Sequence, residues 1–300
     1  MKNNPTRCGF VAILGAPNAG KSTLVNQIVG TKVSIVSPKV QTTRNRIMGV
    51  VLKDETQIVL VDTPGIFAKP KRRLERSMIH DAWQSLEDAD AIVILIDASK
   101  PSYDDVDLIL EKVRDTKRPL FVALNKVDIS KPETLLKLAE RYTLPQVKRT
   151  FMISALKGSG VKDLEKELIA LMPEAPWLFP EDQLSNISER LLATEITREK
   201  IFLKLHDELP YAIFVDTESW EDFRDGSVKI NQIIYVTRES QKSIVLGEGG
   251  RKIKSIGAEA RKELIEIFER PVHLFLHVRV KENWIDDPRF YRAFGLEFKV

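Results

Sequence analysis

Residues 15–23 constrain the fold of this chain more than any other stretch. They read Gly-Ala-Pro-Asn-Ala-Gly-Lys-Ser-Thr, with two glycines, a lysine and a hydroxyl at the spacing of a phosphate-binding loop. The apolar run 10–14 before the loop predicts a buried strand, and apolar residues at helical spacing follow the loop. Backbone amides at the start of a helix bind phosphate in this arrangement. The sequence therefore predicts a nucleotide site.

Each residue type in the loop fits that chemistry. Gly15 and Gly20 carry no Cβ, so backbone amides can approach a pyrophosphate closely. Lys21 would neutralise the β and γ phosphates, and the Ser22 hydroxyl would ligate Mg²⁺. The alternative is a glycine-rich turn that carries a lysine by accident.

Length and composition indicate a globular protein with two domains. The chain has 300 residues, 43% hydrophobic and 30% charged, and no window approaches eighteen uninterrupted apolar residues. The first residues show no secretory signal pattern, and Cys8 is the only cysteine, which excludes an internal disulfide. We expect a buried thiol, no membrane-spanning segment and a reducing cytoplasm.

A second strand, 56–61, ends in Asp62-Thr63-Pro64-Gly65. A carboxylate at the end of a strand can hold Mg²⁺ through water, and the Gly65 amide can reach the γ phosphate. The polar residues 37–44 lie between this strand and the phosphate loop, and we interpret 31–50 as a mobile loop.

The base-binding signal comes later in the chain. Buried strands are predicted at 92–97 and 120–124, and the second runs into Asn125-Lys126-Val127-Asp128. The Asp128 carboxylate can accept two hydrogen bonds from guanine, whereas adenine offers no such pair. A fifth strand at 151–153 precedes small residues, Ser154-Ala155-Leu156, whose amides can approach the guanine oxygen.

Together these segments resemble the translation-factor-related branch of P-loop GTPases over residues 7–172. The resemblance implies an α/β fold with a doubly wound, mainly parallel sheet and a nucleotide at the carboxyl ends of the strands. It implies a magnesium-binding threonine at Thr43 or Thr42, with Thr43 preferred and both left open. The implied GTP-binding residues are Gly15, Ala16, Pro17, Asn18, Ala19, Gly20, Lys21, Ser22, Thr23, Asp62, Thr63, Pro64, Gly65, Asn125, Lys126, Asp128, Ser154, Ala155 and Leu156. The implied metal ligands are Ser22, Thr42 or Thr43, and Asp62, and the implied catalytic residues are Lys21, Asn18, Thr43 and Gly65.

Ile66 departs from the Ras-like pattern. Ras-type enzymes place a glutamine here that orients the attacking water, so we expect slow intrinsic hydrolysis. Related GTPases with an apolar residue at this position can recruit K⁺ through a phosphate-loop asparagine, which is Asn18 in this chain. The alternative is that Asn18 only shapes the loop.

A proline-rich segment, 172–180, predicts the boundary between a GTPase domain, 1–180, and a second domain, 181–300. We expect a helix over 185–209, strands at 212–217 and 227–236, two helices, and a last strand at 272–281. The two helices flank Gly247-Glu248-Gly249-Gly250.

This α+β order resembles a KH domain of type II topology. In KH modules the Gly-x-x-Gly loop clamps a single-stranded nucleic-acid backbone, cations follow it, and apolar residues receive the bases. The alternative is that the glycines only cap the two helices. His273 and His277 suggest no metal site, because residues four apart in a strand are about 13 Å apart. The implied RNA-binding residues are Ile244, Val245, Gly247, Glu248, Gly249, Gly250, Arg251, Lys252, Ile253 and Lys254.

One GTPase domain followed by one KH domain resembles the Era family of bacterial GTPases. The resemblance implies GTP hydrolysis, GTP-dependent binding near the 3′ end of 16S ribosomal RNA, and a role in 30S subunit assembly. It also implies a cytoplasmic protein, expected as a monomer, with partial peripheral association with the inner face of the cell membrane. We expect the γ phosphate to reposition the KH domain through the proline-rich linker. The basic segment 69–76 could contact RNA or membrane, or remain solvated.

Three rival functions fit the sequence less well. A metabolic phosphotransferase would need an acceptor site and has no use for the guanine-sensing residues 125–128 and 154–156. A tandem-GTPase ribosome factor would carry two phosphate loops, and this chain has one. An RNA-binding scaffold with a degenerate nucleotide site would not retain Lys21, Ser22 and Asp62 together.

Overall fold

The computed structural model describes residues 5–39, 42–44, 46–67, 70, 72–205, 209–293 and 295–298. By their contacts the residues form two compact units. The first unit comprises Met1–Ser34, Val40–Asn186 and Arg292–Val300. The second comprises Ile35–Lys39 and Ile187–Tyr291.

The first unit alternates strands and helices around a six-stranded sheet in the order β2-β3-β1-β4-β5-β6. Strand β2 is antiparallel to β3, and the other neighbouring strands are parallel, which confirms the predicted doubly wound α/β fold. The elements are β1 (Arg7–Gly15), α1 (Lys21–Val29), β2 (Ile47–Lys53), β3 (Thr56–Asp62), α2 (Arg73–Gln84), β4 (Ala91–Asp97), α3 (Asp104–Lys112), β5 (Leu120–Asn125), α4 (Pro132–Arg141), β6 (Val147–Met152) and α5 (Val161–Leu171).

Strand β2 corrects the expectation of a mobile loop over 31–50. A tight turn at Asp54 pairs β2 with β3 as a hairpin, and this pairing satisfies its backbone groups. Gly49 interrupts the apolar run, which obscures the strand in the sequence. A Cβ at Gly49 would lie 2.7 Å from Val29 and 2.8 Å from Val25, so glycine permits close packing against α1.

Alternate residues of the central strands build a core on each face of the sheet. In β4, Val93 and Leu95 pack on the side of α1 and α5, whereas Ile92, Ile94 and Ile96 pack on the side of α2, α3 and α4. All five side chains are buried. Burial on both faces explains the continuous apolar runs from which the strands were predicted.

The proline-rich linker is fixed to the first unit by the buried amide of Gln57. Gln57 Nε2 donates to the Phe179 carbonyl at 2.8 Å, and Oε1 accepts from the amides of Leu178 and Phe179 at 2.9 and 3.0 Å. Further along, Val50 N donates to the Leu184 carbonyl at 2.8 Å, so the linker continues along the outer edge of β2.

The second unit is an α+β fold whose three-stranded sheet has the order β7-β8-β9. Strand β8 is antiparallel to β7 and parallel to β9. Helix α6 begins after its N-cap Ser188 and ends at Lys204, short of the predicted end at residue 209. The elements are α6 (Glu189–Lys204), β7 (Phe214–Asp222), β8 (Val228–Val236), α7 (Glu239–Leu246), α8 (Arg251–Phe268), β9 (Val272–Val280) and α9 (Pro288–Ala293).

Residues 295–298 pack within the first unit, against α2. The Ser77 hydroxyl donates to the Glu297 carbonyl at 2.6 Å, and the Arg73 guanidinium lies 4.5 Å from the centre of the Phe298 ring. Of the helices in the described ranges, none is both long and apolar enough to cross a membrane.

We predict that Gln57→Ala loosens the linker, because three hydrogen bonds from a fully buried amide are lost. The cost should be about 2 kcal/mol in the free energy of unfolding of the first unit. Chymotrypsin should cut faster after the linker residue Trp177, while GDP binding persists. Exposed Gln27→Ala is the control and should match wild type. Equal cleavage of both variants would show that Gln57 does not fix the linker.

Candidate functional site

The phosphate loop joins β1 to α1 with the geometry that its glycines permit. Gly20 has φ 99°, and a Cβ there would lie 2.3 Å from Asn125 Nδ2. Asn18 also has positive φ, 63°, which asparagine tolerates better than most residues. The loop closes through the Ala19 amide, which donates to the Ala16 carbonyl at 3.2 Å. Helix α1 has no side-chain cap, so the amides of its first turn, from Lys21 to Thr23, are available to an anion.

Lys21 folds back over this loop. Its ammonium donates to the carbonyls of Gly15 and Ala16, each at 3.1 Å. Burial lowers the pKa of Lys21 to about 8, although the Asp62 carboxylate opposes the shift. A lysine held at the phosphate loop and still protonated at pH 7 is suited to bind phosphate oxygens.

Asp62 is the centre of the predicted metal site. Its Oδ2 accepts hydrogen bonds from Ser22 at 2.7 Å, Ser34 at 2.7 Å and Thr43 at 3.3 Å. The Ser22 and Thr43 hydroxyls lie 2.8 Å apart. Burial raises the pKa of Asp62, and the hydrogen bonds and the charge of Lys21 work against that rise.

These residues fit a magnesium ion. Asp62 Oδ1 is buried and has no hydrogen-bond partner among the residues that the structure describes. A water molecule bound to Mg²⁺ would satisfy this oxygen, and the hydroxyls of Ser22 and Thr43 are the hard oxygen ligands that the ion prefers. Thr43 is the more buried of the two candidate threonines.

The segment after Asp62 packs tightly on the phosphate loop. Thr63 donates its hydroxyl to the Ile13 carbonyl at 2.7 Å, and Pro64 is buried. A Cβ on Gly65 would lie 2.8–2.9 Å from three atoms of Pro17. The Ile66 side chain is buried in the core, so it cannot orient a water molecule.

The predicted base-binding segments are joined through Asn125. Its Nδ2 donates to the Ala19 carbonyl at 2.7 Å, and its Oδ1 accepts from the Ala155 amide at 2.9 Å. The phosphate loop and the segment Ser154–Leu156 are therefore held by one buried side chain. Asp128 is exposed, as is Leu156. The Lys126 ammonium lies 2.6 Å from the Asp97 carboxylate.

In the second unit, the loop 247–250 connects α7 to α8 with three glycines at positive φ. A Cβ on Gly247 would lie 2.6 Å from the Lys252 Cβ, whereas Gly249 and Gly250 face open space. Helix α8 begins without a side-chain cap, which leaves its first amides available to a phosphate. Arg251 pairs with the Glu248 carboxylate, and both side chains are exposed.

The apolar surface beside this loop differs from the prediction at one residue. Ile244 is 49% exposed and Ile253 is half-buried, but Val245 is fully buried among Ile201, Ile256 and other core residues. Val245 therefore supports the core and offers no surface to a base. Lys252 is half-buried and Lys254 is exposed.

Sequence reasoning missed several residues at these sites. Ser34 contacts Asp62 from the predicted mobile loop, and a lone serine outside any motif gives no signal. Leu276 and Val278 are partly buried and pack against the same core cluster as Ile253, and the alternation of apolar residues in β9 could have identified them. Lys69 and Lys71 of the basic segment lie outside the described residues. His273 and His277 are both exposed on one face of β9.

Comparison with known proteins gives consistent matches. Residues 10–126 match the family model described as "50S ribosome-binding GTPase", and residues 208–285 match that of the KH domain. GTPase Era of Sinorhizobium medicae is 57% identical over 98% of this chain and 95% of its own length. GTPase Era of Brucella suis is 57% identical over 98% of this chain and 94% of its own length.

Two solved structures match nearly the whole chain. Era in complex with MgGDPNP and nucleotides 1506–1542 of 16S ribosomal RNA has a TM-score of 0.89 at 39% identity. A tyrosine-to-alanine variant of Aquifex aeolicus Era bound to GDP and AlF4⁻ has a TM-score of 0.89 at 40% identity. Each match covers 97% of this chain and 99% of the other. These matches over nearly the whole chain set aside two alternatives, the metabolic phosphotransferase and the tandem-GTPase ribosome factor.

We predict that GDP binding weakens about fourfold between pH 7 and pH 8.5. The free protein loses the Lys21 proton near pH 8, whereas a lysine bound to phosphate retains it, so binding at higher pH requires proton uptake. Fluorescence titration with a labelled GDP measures the effect. The arginine side chain of Lys21→Arg stays protonated across this range. The affinity of this variant for GDP should therefore not change with pH. A flat profile for the wild type would contradict the lowered pKa.

Proposed function

The chain belongs to the Era family of GTPases, and we propose that it couples GTP hydrolysis to the binding of 16S ribosomal RNA near its 3′ end. The cellular role in this proposal is assembly of the 30S ribosomal subunit. In this proposal the first unit, which contains most of the GTPase domain predicted over 1–180, hydrolyses GTP, and the second unit, which contains most of the KH domain predicted over 181–300, binds RNA. The units differ from the predicted domains because residues 35–39 belong to the second unit and residues 181–186 and 292–300 to the first. The observation that carries the proposal is the match over 97% of the chain to an Era bound to both MgGDPNP and that RNA segment.

In the nucleotide site, each side chain has a distinct role. Lys21 binds the β and γ phosphates, and the amides that follow Gly20 bind phosphate at the start of α1. Ser22 and Thr43 would ligate Mg²⁺ directly, and Asp62 would hold it through water. The ion would neutralise charge on the phosphate oxygens. The Gly65 amide donates to the γ phosphate.

The guanine base is selected at the other end of the site. The Asp128 carboxylate accepts two hydrogen bonds from the base, and the amides of Ser154–Leu156 reach its oxygen. Asn125 keeps this segment in register with the phosphate loop through its two hydrogen bonds. Adenine would leave the carboxylate without its partners, which is costly.

Hydrolysis in this proposal depends on K⁺ bound by Asn18. Because the Ile66 side chain is apolar and buried in the core, it cannot orient the attacking water. A cation beside the phosphates would stabilise the charge that develops in the transition state. Asn18 has a left-handed backbone, and its alternative role is to shape the loop.

We predict that replacing NaCl with KCl raises GTP turnover about tenfold or more in wild type. Asn18→Ala should lose the difference between the salts. Asn18→Gly removes the amide but tolerates positive φ, so it separates cation binding from loop shape. Phosphate release is measured under single-turnover conditions in both salts. If all three proteins hydrolyse GTP equally in KCl and NaCl, K⁺ has no role here.

The KH domain binds RNA through its glycine loop. Gly249 and Gly250 leave open space before the uncapped start of α8, where a phosphate of single-stranded RNA can approach the helix amides. Bases would contact Ile244 and Ile253, with Leu276 and Val278 as further apolar surface. Arg251, Lys252 and Lys254 supply positive charge.

We predict that Gly250→Asp weakens binding to nucleotides 1506–1542 of 16S ribosomal RNA at least about tenfold, because it places a carboxylate where a phosphate approaches. Gly250→Asn is the matched control. It has the same shape and tolerates the same positive φ, so it should cost much less. Fluorescence anisotropy at fixed salt gives both affinities, with a shuffled RNA for comparison. Equal losses in the two variants would exclude phosphate binding at this loop. A wild type that binds the two RNAs equally would contradict the proposed RNA specificity.

We also propose that the protein acts in the cytoplasm as a monomer, in part at the inner face of the cell membrane. Ribosome assembly takes place in the cytoplasm, which supports the first part. The cations of the segment 69–76 would supply the attraction to an anionic surface.

A further inference from the structure

Lys126 combines a strained backbone with a well-defined side chain. Its φ is 68°, in the left-handed region that side chains other than asparagine and aspartate seldom adopt. In this conformation the Lys126 carbonyl accepts from the amide of Ile129 at 3.1 Å and from the hydroxyl of Ser130 at 2.8 Å. The short 3₁₀ helix that carries Asp128 begins there. Glycine would meet this backbone requirement with less strain, so the lysine points to a function for its side chain.

The ammonium of Lys126 is bound at the end of the neighbouring strand. Asp97 of β4 lies opposite Asn125 of β5 in the parallel register, and Lys126 Nζ donates to Asp97 Oδ2 at 2.6 Å. The other oxygen, Oδ1, accepts from the hydroxyl of Ser99 at 2.6 Å and from its amide at 3.1 Å. Asp97 is 5% exposed, so these three bonds fix a nearly buried carboxylate in one orientation.

The location of Asp97 is unfavourable for a carboxylate. Asp97 lines one cavity with Ala16 and Pro17 of the phosphate loop, where a nucleotide brings negative charge. A carboxylate in this place repels phosphate unless a cation compensates its charge, and Lys126 supplies that cation. A pair that served packing alone could be replaced by apolar residues without this cost.

We propose that Asp97 is a positioning residue of the guanine site and that it acts through Lys126. The inference rests on the proposed nucleotide site. Asp97 holds the ammonium and the strained backbone holds the other end, so the four-carbon stem of Lys126 is fixed between them. This stem is apolar and belongs to the same segment as Asp128, so it offers a fixed surface to the guanine ring that Asp128 binds. Fixing the stem in advance raises affinity, because less freedom is lost on binding.

Asp97→Asn tests the proposal, because it keeps the shape of the side chain and removes the charge that binds Lys126. GDP should bind about tenfold more weakly, the usual effect of losing one hydrogen bond between charged groups. Titration with a fluorescent GDP at fixed salt measures the affinity. Asp97→Glu keeps the charge and should bind within about threefold of wild type. A carboxylate that only repelled phosphate would give the opposite sign, since its removal would strengthen binding.

A double-mutant cycle shows whether Asp97 acts through Lys126. Lys126→Met keeps an apolar stem and removes the ammonium. Adding Asp97→Asn to this variant should weaken GDP binding no more than about twofold, because the partner is already absent. Asp107→Asn is the matched control. Asp107 lies on α3 in the same unit and pairs with Arg141, so its loss should leave GDP affinity unchanged.

Comparison of GDP with IDP separates the stem from the base edge. IDP lacks the exocyclic amino group that the Asp128 carboxylate binds, but its ring presents the same faces. If Asp97 positions the Lys126 stem, Asp97→Asn should weaken GDP and IDP by the same factor, within about twofold. A loss confined to GDP would show that Asp97 acts on Asp128 instead, and the proposal would be wrong.

Thermal unfolding confirms that each variant is folded before its affinity is compared. If Asp97→Asn does not fold, Ser99→Ala decides the question. It removes the hydroxyl bond that orients Asp97 and should weaken GDP binding about threefold, whereas an unchanged affinity would refute the positioning role.

The remaining outcomes separate this role from the proposed function. If folded Asp97→Asn binds GDP as tightly as wild type or more tightly, or loses as much affinity in Lys126→Met as in wild type, Asp97 is not a positioning residue and the GTPase assignment stands. If wild type binds neither GDP nor IDP, both are wrong.

Discussion

The nucleotide-binding unit depends on one buried carboxylate, that of Asp62 at the end of β3. Three hydroxyls from three parts of the chain converge on a single oxygen of this group, while its other oxygen has no partner in the described part of the chain. A buried charge is stable only where hydrogen bonds and an opposite charge compensate its removal from water, and here Lys21 supplies that charge. Ser22, Ser34 and Thr43 are therefore held together without the ligand. The unpaired oxygen can accept a hydrogen bond from a water molecule of a hydrated cation.

Much of this site could be predicted because its chemistry is local in the sequence. Residues 15–23 specify a turn, a charge and a helix start within nine positions, and the strands beside them are apolar on both faces. Strand β2 could not be recognised in the same way, since Gly49 interrupts its pattern and the strand is defined by its pairing with β3. Ser34 belongs to no motif. Only the folding of the chain brings it into contact with Asp62, which lies 28 positions later in the sequence.

Helix α6 shows a second limit of sequence patterns. Glu195, Arg198 and Glu199 are polar and suggest a solvent-exposed face, but all three are buried. Glu195 and Arg198 form an ion pair inside the unit, and Glu199 binds the Val36 amide and Lys200. Glu195 and Arg198 pair within one turn of the helix, whereas Glu199 also takes a partner from a segment that precedes α6 by more than 150 positions. The glycine loop 247–250, by contrast, could be recognised from the sequence, because a positive φ favours glycine at three of its positions.

The path of the chain has a practical consequence for anyone dividing the protein into fragments. The backbone passes from one unit to the other after residues 34, 39, 186 and 291. A fragment that starts at residue 187 would lack Ile35 and would have a cavity beside Leu192 and Ile196. A fragment that ends at residue 186 would contain Ile35 but would expose its side chain to water. The core of each excised half should therefore differ from its core in the intact protein. Substitutions made in the intact chain preserve the environment in which each half folds.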